Sequence, residues 1–204
     1  MAQTKVKEIL NSDDSNKDKL GYLWDYYKWH TVIFIIVLIF SGIMINDYIN
    51  RPIGQFHVAA LAPEVNMEEE GALAEDLTEL IPPEGPNDTI FVSFIPPGRQ
   101  YERFVAQFSN GEYDIVLMDE DFYKQYSDSG AMQQFRLSGI DEESYYQPDI
   151  YDNPIGVEAS QIPQFEQYET TNDLIMMIPG NSNRPETIVE FFETQGFEIE
   201  LIND

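Results

Sequence analysis

Seventeen consecutive residues, Trp29 to Ile45 (WHTVIFIIVLIFSGIMI), carry no Asp, Glu, Lys or Arg. As a helix rising ~1.5 Å per residue they extend roughly 25 Å, the short end of what crosses a bilayer. Eleven of the residues from Thr31 to Ile45 are Val, Ile, Leu or Phe. At about −0.3 to −0.6 kcal/mol each they favour insertion by roughly 3 to 6 kcal/mol. The flanks agree with a span. Tyr22, Trp24, Tyr26, Tyr27 and Trp29 precede it and Tyr48 follows, the side chains suited to a membrane–water boundary. A cleaved signal peptide fits less well. Its charged region would be some 30 residues long, and no small-x-small site follows the apolar run cleanly. The reading is a retained signal anchor over 29–49.

Orientation follows from Lys and Arg. The N-terminal arm, 1–28, holds Lys5, Lys7, Lys17, Lys19 and Lys28, whereas the first twenty residues after the span hold only Arg51. The acidic residues of the arm contribute little to topology. The arm is therefore expected in the cytoplasm, and everything after Asn46 outside.

The charge lies almost wholly beyond the span. Residues 51–204 contain 6 Lys or Arg and 31 Asp or Glu, −25 of the chain's −26. So acidic a surface repels nucleic acid, and a DNA or RNA role is excluded. It suits a cationic partner or a divalent ion, or simply a solubilising surface. There is no cysteine, so disulfides, thiolate zinc sites, Cys nucleophiles and a lipid-modified Cys are all excluded. A domain of about 150 residues can still bury an adequate core.

The outer region alternates strand and helix signals. After a stalk at 50–55, with Pro52 and Gly54, strands are expected at 56–62, 89–95, 113–118 and 174–178. Helices are expected at 65–80 (Leu73, Leu77 and Leu80 inward), 98–109 (Phe104, Val105 and Phe108 inward), 121–127 and 185–194. The last of these has Pro185 at its first turn and Gly196 past its end. The alternation implies an α/β domain over 56–204, three-layered, with a mostly parallel sheet. Residues 144–168, rich in Tyr, Gln and Pro, read as an irregular excursion with a short strand near 155–157. Residues 197–202 read as a last edge strand.

Three segments resemble one family. YDIVLMDEDFYKQYSDSGAMQQF (113–135), IYDNPIGV (150–157) and IMMIPGNSNRPETIVEFFE (175–193) are similar to segments of bacterial extracellular solute-binding proteins. The membrane entry LGYLWDYYKWH (20–30) resembles that of small single-span proteins of Gram-positive bacteria. The resemblance implies a periplasmic-binding-protein-like sheet of order 2-1-3-4, with 174–178 as the fourth strand. Asn153 and Pro154 depart from the family pattern. The outer region has the length of one lobe, and 144–168 falls where the family would insert its second. The resemblance therefore implies a single-lobe, membrane-anchored relative without a clamshell, and the family's ligand chemistry does not carry over.

Candidate sites are few. In open parallel sheets, ligands bind beyond the carboxyl ends of strands. That places Asp119 and Asp121, after the third strand, among the ligand or partner candidates. Asp119 is also a natural cap for the following helix. Arg99 opens the helix after the second strand, where a helix N-terminus and a guanidinium suit an anion. Tyr145, Tyr146 and Tyr151 are large amphipathic side chains of the kind enriched at interfaces. His57 is the one His outside the membrane entry, and no motif gives it a partner, so it reads as structural. No phosphate loop, triad or paired-carboxylate motif is present. No catalytic residue, metal ligand or cofactor is expected. The expectation is a non-enzymatic, membrane-anchored extracytoplasmic module that binds a small solute or an envelope protein. Its alternative is a structural or assembly subunit that acts through its membrane segment.

Overall fold

A computed structural model of the chain describes residue 11 and residues 15–202. The arm lysines Lys5 and Lys7, and the side chain of Arg99, lie outside the described residues. Residues 1–51 and 52–204 form two separate units.

Among the described residues the first unit holds one helix, α1, Asn16–Ile49, 34 residues long. Ser15 caps it, its side chain accepting from the Asp18 N–H at 3.3 Å. The aromatic entry and the apolar run are thus one continuous helix, with no break at residue 28. None of its residues is buried: Trp29 is 69% exposed, Phe34 62% and Met44 71%. It is long and apolar enough to cross a membrane. The Asn50 N–H closes it on the Asn46 carbonyl at 3.0 Å, and Pro52 cannot continue the ladder.

The second unit holds β1 Ile53–Leu61, α2 Met67–Leu80, β2 Asp88–Ile95, α3 Arg99–Ser109, β3 Ile115–Met118 and α4 Glu120–Ser127. These are followed by β4 Gln134–Leu137, β5 Tyr145–Tyr146, β6 Gly156–Glu158, α5 Pro163–Glu166, β7 Ile175–Met177, α6 Pro185–Thr194 and β8 Ile199–Ile202. Six strands make one sheet in the order β2-β1-β3-β7-β6-β5. The first four positions, from the β2 edge inward, follow the expected 2-1-3-4 order. The long strands β2, β1 and β3 pair parallel. The short strands β7, β6 and β5 pair antiparallel. The sheet is largely parallel by length, but its fourth strand runs against the first three.

The layers follow from strand order. β2 and β3 flank β1 on opposite sides, so two crossovers of the same hand place α2 and α3 on opposite faces. β1 is apolar on both faces, as a central strand must be. Phe56, Val58 and Ala60 pack with Leu73 and Leu77 of α2 and Ile188, Phe191 and Phe192 of α6. Ala59 and Leu61 pack on the other face with Phe104 and Phe108 of α3, flanked by Phe122 and Tyr126 of α4.

Four expectations change. β1 starts at Ile53, because Ile53 already donates to the Asn87 carbonyl at 2.8 Å, so the stalk shrinks to 50–52. Val105 points outward, 39% exposed, because the inward stripe of α3 runs through Tyr101, Phe104 and Phe108. Residues 144–168 are not a loose excursion. They supply β5 and β6, and bury Ile155, Val157, Ile162 and Phe165. The last strand, β8, does not join the main sheet but pairs antiparallel with β4.

β2 is an edge strand. The Phe94 N–H donates to Glu70 Oε2 of α2 at 2.7 Å. By the period-2 alternation of a strand, the groups of Ile90 and Val92 share that outward direction.

Candidate binding site

The expected strand-end residues do not form one site. Asp119 follows β3, where its N–H donates to the Leu61 carbonyl at 3.2 Å. Its Oδ1 accepts the Phe122 N–H at 2.9 Å, so Asp119 serves as the N-cap of α4. Asp121 is exposed in the first turn of that helix, a favourable place for an acid beside the helix dipole. The neighbouring Glu120 pairs with Lys124 at 2.8 Å. Arg99 begins α3; its side chain is not among those described.

The three tyrosines also separate. Adjacent residues of a strand face opposite ways, so β5 sends Tyr145 to the α2 face and Tyr146 to the α3 face. The Tyr145 hydroxyl accepts the Leu137 N–H at 2.8 Å and donates to the Leu137 carbonyl at 3.0 Å. Its bonds serve β4 rather than solvent. Tyr146 meets the ring of Tyr123 edge-on at 5.2 Å. Tyr151 packs against the same side, and its hydroxyl accepts the Met132 N–H at 3.4 Å. Burial raises the pKa of both Tyr145 and Tyr146. The fold brings Tyr146 and Tyr151 toward α4 and takes Tyr145 away from them.

A different site assembles where β2 meets α3. A notch of about 220 Å³ is lined by Ser93 and Ile95 of β2, by Gln100, Arg103, Phe104 and Gln107 of α3, and by Tyr113. The register puts His57 of β1 opposite Phe91 and Ala59 opposite Ser93, so His57 and Ser93 are diagonal neighbours on one face. His57 Nε2 and Ser93 Oγ share a hydrogen bond of 3.2 Å, and the imidazole lies tilted at 57° to the Tyr113 ring, with centroids 4.4 Å apart. The Tyr113 hydroxyl donates to Gln107 Oε1 at 2.9 Å. The Gln107 amide then donates to Glu112 Oε2 at 2.8 Å. The walls of the notch are thereby set, while Arg103 is exposed at its mouth.

His57 and Ser93 have the atoms of a base and a nucleophile, yet the base is weak. Burial, and then the charge of Arg184, push the His57 pKa down to about 4, against the opposing pull of Glu112. Burial pushes Tyr113 up to about 12, so it stays a neutral hydroxyl. Efficient general bases sit near the working pH, and this imidazole sits well below it.

Behind the notch lies a rigid support. Asp114 is fully buried. Its Oδ2 accepts the His57 main-chain N–H at 2.8 Å and the Arg184 Nε–H at 2.8 Å. Its Oδ1 accepts the Ser182 hydroxyl at 2.6 Å. Burial raises the Asp114 pKa, and the Ser182 and Arg184 donors oppose that rise. The segment Asn181–Ser182–Asn183–Arg184 thus clamps the α3–β3 turn. Asn181 adds a bond to the Phe108 carbonyl at 2.9 Å.

Two larger hollows have less chemistry. One, of about 480 Å³, lies along β4 and β8, but its guanidinium, Arg136, is already paired with Glu142. Another, of about 300 Å³, is rimmed by Glu64, Glu69 and Glu169, and its polar groups largely bond one another. Among the described residues no group of three His, Asp or Glu is arranged to hold a metal. The signal that could have pointed to the notch is the alternation of β2, which puts Ser93 on the face of β1 that carries His57.

Comparison with family models, with curated proteins and with solved structures yields no match to this chain.

Proposed function

We propose that this chain is a single-pass membrane anchor that carries a non-enzymatic binding domain outside the cytoplasm. One observation carries the reading. α1 presents an uncharged, apolar surface from Trp29 to Ile45, with no residue buried, and lipid is the medium that such a surface suits. The lysine-rich arm supports a cytoplasmic N-terminus. The strand order β2-β1-β3 and the single compact unit at 52–204 support kinship with one lobe of a solute-binding protein. The acid-shifted His57 supports binding over hydrolysis.

Membrane fractionation and protease treatment of intact protoplasts test the anchor. The protein should pellet with membranes and resist alkaline carbonate. External protease should remove the acidic domain and spare the arm. A protected domain would overturn the orientation. Fluorophosphonate labelling of Ser93, lost in His57→Gln, would overturn the non-enzymatic assignment.

A second reading has its own observation. Tyr22, Tyr26 and Trp29 recur along one face of α1 and are exposed, which suits packing against another membrane protein. Co-purification that depends on residues 20–48 alone would favour an assembly subunit.

A further inference from the structure

We infer that the notch between β2 and α3 binds a small monocarboxylate whose carboxylate meets Arg103 and whose short body enters the notch toward Ile95, Phe104 and Tyr113. The inference rests on the reading of the domain as a binding module, and it names the ligand class that reading leaves open.

The charge inventory carries it furthest. Beyond Arg51 the chain has five basic residues, Arg99, Arg103, Lys124, Arg136 and Arg184. Lys124 pairs with Glu120, Arg136 with Glu142 and Arg184 with Asp114. Among the described side chains, Arg103 is the basic residue of 52–204 that has no ion-pair partner. It stands in a domain with a large excess of carboxylates, and it stands at the mouth of a cavity. A guanidinium presents a planar fork of donors that matches a carboxylate two-to-two. The neighbouring Gln100 amide lines the same notch.

Size and charge then narrow the ligand. A volume of about 220 Å³ lies below the roughly 300–1,000 Å³ of drug-sized sites. One guanidinium balances one negative charge. Glu112, held beside the notch by Gln107, repels a second. That combination favours a monoanion over a phosphate dianion. Ile95, Phe104 and Tyr113 back the notch and are nearly or fully buried, so they close it behind Arg103 and leave room for a short ligand body only. Ser93 is fixed by its bond to His57, which makes the imidazole a reporter at the back of the site. The charged groups that act on that reporter are Arg184, Glu112 and Arg103.

The chain has two histidines, His30 and His57, so selective ¹³Cε1-histidine labelling gives two signals. The full chain in detergent micelles is titrated at neutral pH with propionate and with benzoate, and separately with inorganic phosphate. His57→Gln assigns the signals, and His30 serves as the internal control. The His57 signal should move saturably with either carboxylate and not with phosphate. Half-saturation should rise at least about tenfold in Arg103→Gln, the loss of one charge-assisted contact, and recover in part in Arg103→Lys. Arg103 is exposed, so these variants should fold as the parent does. Saturating carboxylate should also raise the His57 pKa, since a nearby anion favours the imidazolium. A His57 signal that does not move, that moves only in parallel with His30, or that responds equally in Arg103→Gln would overturn the site. Saturation by phosphate as tight as by carboxylate would overturn the ligand class. Any of these failures leaves the protease and fractionation results untouched, so the anchor and the ligand are judged separately.

Discussion

The Nε of Arg184 lies 2.8 Å from Oδ2 of Asp114, so the residue that opens α6 is tied to the one that precedes β3. Asp114 is fully buried, and the Arg184 side chain is one-quarter exposed. Removing one member of such a pair strands the other. Arg184→Met should lower unfolding free energy by about 3 kcal/mol, near the low end for a broken buried pair. Combined with Asp114→Asn, the losses should fall short of additive by roughly 0.5–3 kcal/mol. Denaturant unfolding of the full chain in detergent measures both; a loss under about 1 kcal/mol in Arg184→Met would contradict the role assigned here.

His57 makes stability depend on pH. Its pKa is near 6.5 unfolded and about 4 folded. Between those values the unfolded chain takes up a proton that the folded chain refuses. The stabilisation is therefore complete above pH 6.5 and is lost as pH falls toward 4. The shift corresponds to about 3 kcal/mol. The raised Asp114 pKa acts the other way, adding stability as pH falls through its folded value. An Asp114→Asn background removes that opposing contribution. In that background His57→Gln should flatten the stability curve between pH 6.5 and 4; an unchanged slope there would rule the imidazole out as its source.

Two glycines with the same backbone angle should behave differently. Gly111 and Gly130 both have φ of +69°. A Cβ on Gly130 meets open space, whereas one on Gly111 would lie 2.3 Å from the Asn181 carbonyl oxygen. Gly130→Ala should cost about 1–2 kcal/mol, the backbone strain alone. Gly111→Ala should add roughly 1–3 kcal/mol for the clash by pushing the 181–184 clamp off the turn. Equal melting temperatures for the two variants would show that the clamp is loose.

Asp119 separates capping from ligand binding. Asp119→Ala should lower stability by about 1 kcal/mol, the usual worth of an N-cap. It should leave the carboxylate titration of His57 unchanged. A weakened titration with normal stability would return Asp119 to the binding site.

Much of the fold is legible in the chain itself. Strands buried on both faces read as apolar runs, and helices announce their ends with Pro185 and Gly196. The order around β1 is the one the resemblance implies, and handedness then fixes which face each crossover helix takes. The reversed β7 is not legible, because strand direction depends on how the chain returns. Residues 144–168 return through paired short strands and a four-residue helix, which leave no periodic trace. β4 escapes for a related reason: its four residues find their partner, β8, some 60 residues away in sequence. The site was harder still. Asp119 and the tyrosines satisfy local rules for caps and interfaces, and the fold uses them for capping and packing. Arg103 draws no notice in sequence, since its unpaired state appears only when Lys124, Arg136 and Arg184 are matched to their carboxylates.

The bond from Glu70 to the Phe94 amide has a consequence for crowding. If α1 holds the chain in a bilayer, neighbouring copies share two dimensions, and open strand edges meet often. The outer side of β2 would otherwise be a template for a second copy's strand. A carboxylate already seated on one of its amides denies the incoming strand a donor and confronts it with a negative charge. Edge-to-edge polymerisation is disfavoured by one side chain, and Glu70→Ala should bring concentration-dependent, β-rich assembly that salt does not reverse.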